Sequence, residues 1–512
     1  MKLYLVAQIL LWSLLLLFRA TEQISQEEDA GFEQSLVRQK NQSFQYILQN
    51  IGGALSILDP NEVSPGVVIA SPLRTRPNYF YNWIRDSALV MRTLIVQLDE
   101  DTTGNFAFLK TIIENYIEES YHLQRLPNRS GMFDDSQRSG LGEPKFMADG
   151  KTFDDDWGRP QSDGPGLRAV TIIDYLHLLE RHNETLSSNF LGNSTFVYHE
   201  IVKPDLDYVI AHWAAEAFDL WEEINALHFF NSLTMLRALV EGRRFATEVG
   251  ESDAFIDALS TTFDSLKSLV TDASTGFAPE TLLHIVETPK FKQLGIRGGL
   301  DAATLLAALH SHEIGRPETE TIPFDVDDHR ILNTLLYMVS DMKYRYPINN
   351  VNSLIQQNGG VGLGRYPEDL YDGYGTSEGN PWFIATASAA EVALYRKQDL
   401  VISANNRKFF ATFCGAWIDQ MAPDDSKTLA YGSQEYSQVI SAMFSYANNF
   451  LKVVMSHVDT NNHRMLEQFN KYTGYMQGAE DLTWSYSSFY NCARWRFKVA
   501  ELVKGMDRTT DA

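Results

Sequence analysis

Apolar residues recur at intervals of three and four through most of the sequence, the spacing that lines them up on one face of a helix. The pattern predicts helices near 31–54, 85–99, 106–124, 165–182, 202–217, 223–248, 252–271, 298–312, 326–345, 381–397, 402–421, 434–457 and 478–504. Two-residue alternation, the mark of a half-buried strand, is scarce. The fold class expected is therefore all-α. Helices spaced at roughly 40 residues suggest helical hairpins packed in two layers. An open solenoid is the alternative, but stacked repeats resemble one another and no such repeat is present here. Periodicity alone does not decide whether the layers close into a ring.

The helical pattern is broken at the start. Lys2 followed by an apolar run from Leu3 to Phe18 has the layout of a secretory signal, short and one-sided for a spanning helix. Ala20 is a candidate last residue, although bulky Phe18 marks the cleavage site poorly, and an uncleaved signal anchor is the alternative. The expected division is a signal over residues 1–20 and one large domain over 21–512. Sequons at Asn41, Asn128, Asn183 and Asn193 fit passage through the secretory pathway. Export from the cell is expected, with the vacuole or cell wall as alternatives and no membrane association once the signal is removed. Cys414 and Cys492 could form one disulfide there, but two cysteines give no metal-ligand spacing.

Composition narrows the partner. Of 512 residues, 66 are acidic and 43 are Lys or Arg, a formal charge of −23. Phosphate binding needs clustered cations, so nucleic acid and anionic membranes are poor partners and a neutral substrate fits better. The His residues are scattered, and neither a metal nor another cofactor is expected.

Unusual residues gather between the helices, where function concentrates. Tyr79-Phe80-Tyr81-Asn82-Trp83-Ile84-Arg85-Asp86-Ser87 is the first such stretch. Gly140-Leu141-Gly142-Glu143-Pro144-Lys145-Phe146 and Trp157-Gly158-Arg159-Pro160-Gln161 form the second. Gly364-Arg365-Tyr366-Pro367-Glu368-Asp369 runs toward Pro381-Trp382-Phe383, and Leu482-Thr483-Trp484-Ser485 closes the series. Aromatic rings pack on the C–H face of a sugar, while Arg, acid and amide groups bind its hydroxyls. Two further stretches carry acids beside aromatic and amide groups: Asp219-Leu220-Trp221-Glu222-Glu223, and Glu467-Gln468-Phe469-Asn470 far downstream. An apolar setting is where a carboxyl keeps its proton and acts as an acid. Two carboxyls flanking a bond are the chemistry of glycoside hydrolysis. Read alone, Trp221-Glu222-Glu223 is equally a helix start with its acids in the first turn.

In family order, these motifs resemble the fungal and yeast glucoamylases, glycoside hydrolase family 15, from about Gln49 to Trp484. The resemblance implies a six-fold α/α toroid with a dead-end pocket built from inter-helix loops. It implies release of glucose, with inversion, from the non-reducing ends of starch, glycogen or maltooligosaccharides, α-1,6 bonds being cut more slowly. Another helical-toroid glycosidase, or a carbohydrate-binding protein without turnover, is the alternative. Glu222 matches the family's general acid and Glu467 its general base. Arg85 and Asp86 match the pair that grips the terminal sugar, and Arg365 is a further contact. Tyr79, Trp83, Trp157, Trp382 and Trp484 match the pocket's aromatic lining, and Glu223 a carboxylate of the next subsite. Met147 and Ser162 depart from many relatives and could alter the outer subsites. A monomer is expected, without a starch-binding module after Trp484.

Overall fold

The computed structural model describes residues 30–53, 58–313, 316–350, 359–394, 399–415, 418 and 426–510. The signal assignment and most of the C-terminal half of the helix expected over 402–421 lie outside these residues.

Six helices form a closed inner ring: α2 (Ile84–Asp99), α4 (Asp163–Arg181), α6 (Phe229–Glu248), α8 (Ala302–Ser311), α10 (Phe383–Leu394) and α12 (Thr483–Thr510). Each packs on the next, and α12 returns to α2. The outer layer consists of α1 (30–49), α3 (Leu109–Arg125), α5 (Lys203–His212), α7 (Asp253–Thr271), α9 (His329–Arg345) and α11 (Gln434–His457). Outer helices α3, α5, α7, α9 and α11 lie against α2, α4, α6, α8 and α10 respectively. Phe44 of α1 meets Tyr490 of α12 with ring centroids 5.3 Å apart. The two layers are therefore a double ring of helical hairpins.

Composition decides which layer a helix joins. The ring member α10, Phe-Ile-Ala-Thr-Ala-Ser-Ala-Ala-Glu-Val-Ala-Leu, is buried at every position except Glu391, as a helix packed on all sides must be. Its small residues let neighbouring backbones approach closely. The outer helix α7 buries only Leu259, Thr262, Phe263, Leu266 and Val270, one stripe at helical spacing.

Four short antiparallel pairs decorate the ends. They are β1 (Tyr81–Trp83) with β2 (Lys145–Met147), β3 (Ala217–Phe218) with β4 (Asn225–Ala226), β5 (Leu400–Ile402) with β6 (Lys427–Leu429), and β7 (Gln468–Phe469) with β8 (Met476–Gln477). Three of the pairs stiffen loops leading into inner helices. All six inner helices start at the same end of the ring, where these loops meet, so their positive dipole ends converge on the site described next.

One expectation is corrected, and one pairing left open by the sequence is decided. The helix predicted from 223 begins at Phe229, because Glu223–His228 is taken up by the β3–β4 hairpin and its exit; Trp221-Glu222-Glu223 is thus a loop and not a helix start. No disulfide joins Cys414 and Cys492; each is buried in the helical layers.

Candidate active site

The loops entering the inner helices enclose a cavity of about 230 Å³, and all eleven residues singled out in the sequence line it. Buried Trp484 lies in its wall and also borders a second cavity of about 450 Å³ toward the C-terminal ends of the inner helices. Its ring thus stands between the two cavities. Trp157, 36% exposed, marks the mouth.

The β3–β4 hairpin shapes the acid loop. Asp219 Oδ1 accepts the backbone N–H groups of Glu223 at 2.7 Å and Ile224 at 2.8 Å, and the Glu222 N–H donates to Asp219 O at 2.9 Å. This tight turn holds Glu222 in the left-handed region at φ 66°. Such a conformation costs a residue with a Cβ about 1–2 kcal/mol and is typical of functional sites. Its result is that two adjacent acids point to different walls. Glu222 Oε1 accepts from Trp83 Nε1 at 2.7 Å and Gln161 Nε2 at 2.9 Å, while Oε2 accepts from Trp157 Nε1 at 2.9 Å. Arg85 Nη2 stands 3.7 Å from Oε1. The apolar setting expected around the first acid is therefore a cage of N–H donors. Gly158 permits it: a Cβ there would lie 2.7 Å from the Phe218 ring and 3.2 Å from the Glu222 carbonyl oxygen.

Glu223 is no solvated acid. Arg365 Nη2 donates to its Oε1 at 2.8 Å, and Arg297 Nη2 and the Tyr366 hydroxyl both donate to Oε2. Arg365 also grips Asp369 through two bonds of 2.8 and 2.5 Å. The guanidinium sits 5.2–5.4 Å from the ring centroids of Trp221, Tyr366, Tyr371 and Trp382. Arg85, in the first turn of α2, donates to Gln161 at 2.9 Å and Asp163 at 3.0 Å, and its Nε lies 3.4 Å from Asp86. Burial, opposed by Arg85 and reinforced by Glu222 and Asp163, pushes the Asp86 carboxyl up to about 6.

Glu467 is only 1% exposed. Burial raises its carboxyl to about 8, against the pull of Arg365, of Tyr79 and Tyr371, and of the Ala479 N–H. The two tyrosine hydroxyls lie 3.0 Å apart. Glu467 Oε2 has no hydrogen-bond partner in the protein. Gly478, at φ 81°, makes room for it, since a Cβ there would fall 2.3 Å from Oε2.

The expected residues thus converge, and the sequence reading missed several of their supports. Tyr371, Asp163, Asp369 and Arg297 were not singled out, because ordinary surface acids, bases and tyrosines look the same in one sequence. Ser162 is buried, with its Oγ accepting from Asn231 Nδ2 at 3.3 Å, and does not line the cavity. Met147 is 37% exposed outside it. Among the described residues no His, Cys, Asp and Glu group has the arrangement of a metal site.

A cavity walled by indoles and ion-paired arginines, with carboxyls from two distant loops inside a closed double ring of helices, defines a helical-barrel glycosidase. The chain belongs to the glycosyl hydrolases family 15, whose model matches residues 42–494. It is 40% identical to a glucoamylase of Saccharomycopsis fibuligera over 92% of this chain and 91% of that protein. It is 37% identical to the intracellular sporulation-specific glucoamylase of Saccharomyces cerevisiae, covering 93% and 86% of the two chains. The solved structure of the glucoamylase from Saccharomycopsis fibuligera superposes with a TM-score of 0.86 at 39% identity, covering 92% of this chain and 96% of that one.

Proposed function

We propose that this enzyme is an inverting glucan 1,4-α-glucosidase that removes β-glucose from the non-reducing ends of starch, glycogen or maltooligosaccharides. Family membership and relatives at 35–40% identity named glucoamylases support the exo-acting glucosidase activity. The roles of the two carboxyls are those their motifs imply, and the observation that supports inversion is the Glu467 oxygen left free to hold a water. Glu222 is fixed by three N–H donors, whereas Glu467 is buried with one oxygen unpartnered.

In this reading the terminal glucose enters past Trp157 and stops against Trp484. Arg85 and Asp86 bind its hydroxyls, with Asp86 free to accept because Arg85 engages it only at 3.4 Å. Glu222 gives its proton to the glycosidic oxygen as the bond to the anomeric carbon breaks. A water held by Glu467 Oε2 attacks that carbon from the opposite face and gives its proton to Glu467. Burial raises the proton affinity of Glu467, which makes it the stronger base toward water once ionised. The positive charge that develops on the ring is stabilised by the surrounding carboxylates. Glu223, held by Arg365, Arg297 and Tyr366, faces the next sugar. Inversion requires the two carboxyls to stand about 6.5–9.5 Å apart in the complex, leaving room for the water.

Lys2 and the apolar run to Phe18 favour entry into the secretory pathway, and we read the protein as a secreted or vacuolar monomer. No described helix is long and apolar enough to cross a membrane.

The test is Glu222→Gln. Turnover of maltose falls by about two to four orders of magnitude, while an α-glucoside with an acidic phenol as leaving group, which needs little protonation, suffers far less. Equal losses on both substrates would contradict the acid role of Glu222.

A further inference from the structure

Behind the two indoles that hold Glu222 lies a charge that lines no part of the cavity. Lys145 is only 2% exposed, yet it is not used by the mechanism above. The β1–β2 ladder places it directly opposite Trp83, with Tyr81 two residues away on the same face. The loop that follows supplies Phe153 and Trp157. As a result Lys145 Nζ sits 3.4 Å from the ring centroid of Trp157, 4.1 Å from those of Tyr81 and Phe153, and 4.6 Å from that of Trp83. Four rings around one ammonium form a closed aromatic cage. The rings also brace one another edge to face, Trp83 on Trp157 at 6.0 Å and Phe153 on Trp157 at 5.9 Å.

A buried ammonium is costly, and a merely packed lysine is more often found with its head in water. Burial lowers this one to about 8, with the Glu222 carboxylate pulling it back up. It therefore carries its charge at neutral and acid pH, and it is electrostatically linked to Glu222 although the two do not touch. The ring faces it touches belong to the indoles whose edges donate to Glu222. A cation on an indole face withdraws electron density and strengthens the N–H as a donor at the edge, while the contact itself fixes the ring plane.

We propose that Lys145 is a positioning residue for the general acid: its caged ammonium locks Trp83 and Trp157 in the planes that deliver both indole N–H groups to Glu222. This rests on the reading of Glu222 as the acid. Losing the lock leaves the cavity, the base and the sugar-gripping pair in place but lets the acid wander from the glycosidic oxygen. The defect falls on kcat for substrates that need protonation and not on binding.

Lys145→Met keeps the length and apolar stem and removes the charge; Lys145→Arg restores a cation. With maltose, Lys145→Met lowers kcat about tenfold or more while KM changes by no more than about twofold, and with dinitrophenyl α-glucoside kcat stays within about threefold of the parent. Lys145→Arg recovers most of the maltose activity. Phe153→Leu thins one wall of the cage without touching Lys145 or Glu222. It shows the same selectivity at smaller size, and it serves if Lys145→Met fails to fold. Equal loss on both substrates in these variants, or no loss on either, overturns the proposal. Glu222→Gln run in parallel separates the two claims. If it is selective for maltose while the Lys145 and Phe153 variants are not, only the Lys145 inference fails; if it is not selective, the acid assignment fails first.

Discussion

Glu467 places the chemistry of the site in conflict with its stability, and the conflict is measurable. Its carboxyl is raised to about 8 by burial. In the unfolded chain it titrates near the ordinary carboxylate value, about 4.3. A group raised on folding contributes its full share of stability below its unfolded value and loses that share as pH rises through the folded one. Between these limits the unfolded chain is ionised while the native one must keep a proton or bury a charge. The native state is then penalised by about 1.4 kcal/mol per pH unit, or about 3 to 4 kcal/mol at pH 7. Glu467→Gln removes the titration and keeps the shape. The variant and the parent should therefore have equal melting temperatures near pH 4, the variant should gain steadily from pH 5 to 8, and the difference should level off above that. For a ring of this size an advantage of about 3 °C at pH 7 is expected. Calorimetric scans at one fixed rate across the pH series read it. A difference independent of pH, or a variant less stable than the parent at pH 7, would refute the raised proton affinity on which the strength of the base rests.

Two further predictions concern the supports. Arg365→Ala leaves Glu223 and Asp369 without their shared cation beneath four aromatic rings, so it should cost about 3–5 kcal/mol in denaturant unfolding; a change below about 1 kcal/mol would show that the ion pair does not hold this wall. Among the four sequons, Asn41, Asn183 and Asn193 are exposed, whereas Asn128 Nδ2 donates to Leu126 O at 3.2 Å and Gly140 O at 2.9 Å. When the chain is produced through a secretory pathway, peptide mapping should find glycans at one or more of the first three and none at Asn128; an occupied Asn128 would show that this loop forms after modification.

The helical hairpins were legible because apolar stripes follow helix geometry whatever surrounds them. α11 runs over the residues predicted, and α2 and α7 differ by one residue at their starts. Ring closure was not legible, since it depends on α12 meeting α2 across the whole chain, a contact no local period records. It entered only through the resemblance to a family. The acid loop misled the pattern for a local reason: Asp219 captures two backbone N–H groups that a helix start would have used. The eleven residues that line the cavity were named through the match of their motifs to a family, the Trp, Arg and acid content of the loops by itself suggesting only a sugar site. Their partners could not be named, since Asp163, Arg297 and Tyr371 act through distances of folding and not of sequence. Likewise, Lys145 reads as one more charge until the β1–β2 register sets it against Trp83.

The stereochemical course of hydrolysis tests the central claim most directly, that Glu467 activates water opposite a proton donated by Glu222. Maltose hydrolysis followed by proton NMR from the first turnovers should show β-glucose ahead of mutarotation. Glu467→Ala, nearly inactive alone, should regain turnover of an activated α-glucoside when azide fills the vacated water site, and should yield the β-glucosyl azide. α-Glucose as the first product, or an adduct trapped on Glu467 by a fluorosugar, would contradict it.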